Sequence, residues 1–162
     1  MLPLAAIATT KAQSNYWLGS VYAGLATAII AVATCLTFQA ELPILFIPAF
    51  LLIGIGPVLG YQYATGTLGS DWKPLIGGIL GFILAPVAFI VWPLLVGALD
   101  KTQSVGKLFL GSVIGAVLGI AVFFIMLTLI GQNPYTIGLS FTMLMAVWGG
   151  SVGAAMIAWS VE

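Results

Sequence analysis

Histidine is absent from all 162 residues, and so is arginine. The first absence removes the commonest metal ligand and the usual general base near neutral pH. The second leaves only Lys11, Lys73, Lys101 and Lys107 as cations, too few and too scattered to neutralise a phosphate backbone. Nucleic acid is therefore excluded as a partner. Cysteine occurs once, at Cys35 within an apolar run, so no internal disulfide can form. Charge of either sign is scarce, at 5% of the chain, where soluble domains carry roughly 25%. Eight charged side chains cannot clothe a water-facing surface of this size.

The four carboxylates, Glu41, Asp71, Asp100 and Glu162, fall at predicted helix ends or at the last position. None has a spaced partner for paired acid–base work. No serine, threonine or cysteine has a histidine to activate it, and Gly106-Lys107 lacks the upstream glycines of a phosphate loop. No catalytic residue, metal ligand or cofactor is expected, and the chain does not read as an enzyme. The apolar segments also lack the ionisable side chain that proton-coupled transporters keep in the membrane.

What remains is apolar: 62% hydrophobic residues and a mean hydropathy of +1.22. A spanning helix needs about 20 such residues. Charges and turn residues cut the chain into about five segments of that length, with four spans plus a surface helix as the alternative. They run from Tyr16 to Phe38, Leu42 to Tyr61, Pro74 to Leu99, Val105 to Ile130, and Tyr135 to Trp159. Pro43 and Pro74 sit in first turns, where a missing N–H costs nothing. Glu41 and Asp71 precede them at the positive end of the helix dipole. The expected fold is all-α, one integral membrane domain over 1–162, multi-pass in the lipid bilayer. Residues 1–14 read as an uncleaved, partly apolar leader at the interface, because no basic region precedes the first apolar stretch. Five spans would put Lys11 and Lys73 on one side and Lys101 and Lys107 on the other, so lysine counting yields no orientation.

Small residues recur every fourth position, on one helix face. Gly111, Gly115 and Gly119 make the longest glycine stripe, with Gly77/Gly81 and Gly149/Gly153 in the neighbouring segments. In lipid, such GxxxG-like stripes let backbones approach closely, so these seven glycines are the expected helix-packing positions. Pro48, Pro57, Pro86 and Pro93 interrupt segments two and three, where each removes a helical hydrogen bond.

The stretch GIGPVLGYQYATGTLGSDWKP, residues 54–74, admits two readings. It is a helix end and loop, or a re-entrant pore element with Pro57, Tyr61, Gln62 and Thr65 on a solute path. Segment two already spans by Tyr61, which favours the helix end. With few charges, short loops and no chemical constellation, the leading expectation is a non-catalytic accessory subunit of a larger energy-converting or transport complex, meeting other subunits or its own copies. The alternative is a small channel or carrier for a neutral solute; a third is a pigment- or lipid-binding membrane protein.

Overall fold

The computed structural model describes the backbone of residues 4–84, 87–101 and 103–158, and side chains from residue 17 onward within those ranges. Seven α-helices account for nearly all of it. They are α1 (Leu4–Gln39), α2 (Pro43–Leu52), α3 (Gly56–Thr65), α4 (Lys73–Ile83), α5 (Ala88–Leu99), α6 (Val105–Ile130) and α7 (Pro134–Ala158). A short 3-10 turn, Ile53–Ile55, joins α2 to α3. Four stretches are long and apolar enough to cross a membrane: Trp17–Gln39, Pro43–Thr65, Val105–Ile130 and Pro134–Ala158. The leader expected over 1–14 continues, from Leu4 on, the backbone of α1.

The third expected span, Pro74 to Leu99, is corrected. It is two helices of 11 and 12 residues, one ending at Ile83 and the other beginning at Ala88. At 1.5 Å per residue each reaches about 17 Å, against a hydrocarbon core of about 30 Å. The two pack antiparallel on each other. A Cβ built on Gly81 would lie 2.7 Å from the Trp92 Cα, and one on Gly77 would lie 3.2 Å from the Leu95 carbonyl carbon. Lys73 and Asp100 therefore sit at the same end of the bundle. Pro86, at the break, lies outside the described residues.

The remaining helices surround this hairpin. α7 is the central element, packed along α1 on one face and α6 on another. Asn133 starts it by accepting the N–H groups of Tyr135 and Thr136, both at 3.0 Å, with Pro134 in the first turn. The core is aromatic at the hairpin: Phe50, Phe82 and Trp148 pack in sequence as tilted pairs, with ring centroids 5.7 and 5.4 Å apart. Trp92 and Phe89 meet Trp148 edge-on at 5.4 and 5.5 Å. Trp92 and Trp148 are fully buried.

Candidate functional site: a cavity above a half-depth hairpin

Proline dictates the polar chemistry inside this bundle. Pro93 has no N–H, so the carbonyl of Phe89, four residues back, loses its helical donor. Ser112 on α6 fills the gap: its hydroxyl donates to the Phe89 oxygen at 2.6 Å and accepts from the Trp148 indole at 2.9 Å. On the other face of the hairpin, the Trp92 indole donates to the Gly54 carbonyl at 2.6 Å. Gly54 lies in the 3-10 turn just ahead of Pro57, midway along Pro43–Thr65. These bonds tie α4–α5 to α6 and to the Pro43–Thr65 stretch, and they cover the non-helical backbone there with protein. Gly78 and Gly54 also meet backbone to backbone: a Cβ on Gly78 would stand 2.9 Å from the Gly54 carbonyl carbon.

Because the hairpin stops midway, it leaves space over its tip. A cavity of about 440 Å³ lies there, walled by Thr34, Cys35, Phe46, Phe50, Phe123 and Phe141. Phe50 forms its floor and packs at a tilt against Phe82 in the last turn of α4. Every wall residue belongs to the end of the bundle opposite Lys73. The polar atoms are largely occupied: the Thr34 hydroxyl donates to the Ile30 carbonyl at 2.9 Å, and the Cys35 thiol lies 3.6 Å from the Gly138 carbonyl. The cavity is thus apolar and ring-lined. It continues, through Phe38, Gln39, Phe46 and Pro134, into a cleft of about 710 Å³ that also holds Thr37, Glu41 and Tyr135. Its size falls within the range of about 300–1,000 Å³ typical of small-molecule sites.

The sequence-selected residues lie elsewhere. Pro57 is buried, Tyr61 is half-buried, and Thr65 is exposed with its hydroxyl on the Tyr61 carbonyl at 3.0 Å. Gln62 is buried and holds the loop closed, donating to the Asp71 carbonyl at 2.7 Å. Its oxygen lies 3.5 Å from the Gly69 N–H. α3 ends at Thr65 with Gly66 in the left-handed region, φ 70°, so residues 66–72 form a loop before α4. Of the seven glycines, Gly77 and Gly81 face α5 and Gly149 and Gly153 face α1. Gly111, Gly115 and Gly119 face α7, where a Cβ on Gly115 would stand 3.0 Å from the Trp148 Cα. The cavity residues escaped sequence reasoning because they come from four helices, and no two elements share a spacing signal.

Among the described residues, no group of three or more His, Cys, Asp or Glu side chains is placed to hold a metal. No protein-family model, no curated protein and no solved structure matches this chain.

Proposed function

We propose that this chain is a multi-pass membrane protein of four spanning helices plus a half-depth hairpin, and that it binds an apolar ligand without catalysing a reaction. The observation that carries this reading is the ring-lined cavity left above the hairpin tip. A hairpin that stops midway is otherwise a poor use of membrane depth, because its irregular tip needs covering. Small-residue stripes hold the spans together in this account: the glycines of α6 and α7 admit backbone contact that any larger side chain would push apart.

The hairpin also supplies an orientation. With Lys73 and Asp100 at one end, Lys101 and Lys107 join Lys73 there, and no described lysine lies at the other end. Positive residues favour the cytoplasmic side, so the lysine end is cytoplasmic and the cavity opens in the opposite leaflet. The test is native mass spectrometry of protein extracted in mild detergent. A retained apolar molecule, lost in Gly138→Leu, supports binding; identical spectra for the two proteins overturn it. Gly138 is chosen because a Cβ there meets only ordinary contacts, 3.5 Å from the Gln39 amide nitrogen, and a leucine would grow towards the cavity.

A second reading, an accessory subunit or homo-oligomer, is favoured by α6. Only 17% of its spanning window is buried, against 61% for α7, and Val117, Phe124 and Ile125 are exposed. A lone monomer after mild purification, with no co-purifying chain, counts against that reading.

A further inference from the structure

The turn between α1 and α2 breaks a local rule at the mouth of the cavity. α1 ends in a two-bond helix stop: the Leu42 N–H donates to the Thr37 carbonyl at 3.1 Å and the Glu41 N–H to the Phe38 carbonyl at 3.2 Å. This motif places one residue in the left-handed region, where glycine is the usual occupant. That residue is Glu41, with φ 54°, the sole non-glycine with positive φ among the described residues. The same motif closes α3, with Thr67 N–H on Gln62 O at 2.8 Å and Gly66 N–H on Tyr63 O at 3.2 Å. There the chain uses glycine. A strained residue retained where an easy substitute exists points towards function.

Two further observations give that function a chemistry. Glu41 lines the cleft that opens into the ring-lined cavity, beside Gln39 and Thr37. It is also the lone Asp, Glu or Lys among the described residues at that end, since Lys73, Lys101 and Lys107 are all at the other. No described cationic side chain lies at that end, so only the N-terminal ends of α2 and α7 favour an anion there, while the Glu41 carboxylate, the Gln39 amide oxygen and the Thr37 hydroxyl can accept hydrogen bonds.

We infer that the ligand is an amphiphile with one apolar tail and a hydrogen-bond-donating head, a protonated amine before an alcohol and an alcohol before a carboxylate, its head held by Glu41. This rests on the cavity being a ligand site and adds the head-group selection. The tail takes the ring-lined space between Phe46, Phe50, Phe123 and Phe141. The head stays in the cleft, where a charge-assisted bond to the carboxylate favours the amine.

The experiment uses the full chain in nanodiscs of uncharged lipid, with three probes of one tail length: hexadecylamine, hexadecanol and hexadecanoate. Binding is measured for the native protein, Glu41→Gln, Glu41→Gly and Gly138→Leu. The expected order is amine, alcohol, carboxylate, with about tenfold between first and last, the scale of one charge-assisted hydrogen bond. Both Glu41 variants should bring amine and alcohol to equal affinity while the alcohol still binds. Equal binding of all three probes, abolished by Gly138→Leu, overturns the head-group inference and leaves the cavity as a site. Binding that Gly138→Leu leaves unchanged overturns the cavity itself. A folded Glu41→Gln that keeps the amine preference also overturns the assignment.

Discussion

Ser112→Ala is the sharpest perturbation of the hairpin, because one hydroxyl serves two groups, one buried and one part-buried. Its loss leaves the Phe89 carbonyl without the donor that Pro93 already denies it, and strips the Trp148 indole of its acceptor. An unsatisfied buried group costs about 1–3 kcal/mol in soluble proteins, whereas side-chain hydrogen bonds between membrane helices average about 0.6 kcal/mol. Two groups together give an expected loss of about 1–3 kcal/mol. Ser112 and Trp148 are fully buried and Phe89 is half-buried, so water has little access to the vacated place. The assay is reversible unfolding by a denaturing detergent from mild micelles, followed by tryptophan fluorescence. Two partners in the cycle separate the contributions. Pro93→Ala restores an N–H at the position that faces Phe89, so Ser112→Ala should cost about 0.6 kcal/mol less in that background. Trp148→Phe removes the orphaned donor and should likewise shrink the penalty. If Ser112→Ala costs the same in all three backgrounds, the hydroxyl does not repair the proline gap and the reasoning fails.

Three other substitutions probe the packing and the turn. Gly78→Ala forces a methyl against the Gly54 backbone, and overpacking of this kind should cost about 1–3 kcal/mol in the same unfolding assay. Gly106→Ala, where nothing lies within 4 Å of the added Cβ, should be neutral or stabilising by up to about 1 kcal/mol. Equal effects at the two glycines would refute the close-approach account. Glu41→Gly should raise stability by about 0.5–1 kcal/mol, because glycine tolerates the left-handed backbone that glutamate is held in. A loss of stability there would mean that the carboxylate holds the turn instead.

The sequence made four helices long and apolar enough to cross a membrane legible, because length and hydropathy are summed along the chain. Segment two ran on to Thr65 rather than Tyr61, since Gly66, not Tyr61, terminates it. The third segment defeated the same sum. Its 26 apolar residues satisfy a length criterion whether the helix crosses or folds back, and Gly77 and Gly81 signal a close neighbour without saying which. The neighbour is the segment's own second half, at Trp92 and Leu95. Residues 54–74, favoured as a helix end and loop, are that from Gly66 on, while the helical break of the third segment shows at Leu84 and Val87. The cavity was not legible at all, because it is space left by a helix that stops short. Glu41 was read correctly as a helix-end residue, but a left-handed backbone at glutamate has no signature in composition.

The account turns on the hairpin, and residue accessibility across the membrane tests it directly. In a Cys35→Ala background, single substitutions Ser70→Cys, Ser104→Cys and Gln132→Cys are probed with a membrane-impermeant maleimide in inverted and right-side-out vesicles. The half-depth hairpin predicts that positions 70 and 104 label together from the cytoplasmic face, and that 132 labels from the opposite face. Labelling of 70 and 104 from opposite faces would mean that residues 74–99 cross the bilayer. The hairpin, the cavity above it and the orientation would then fall together.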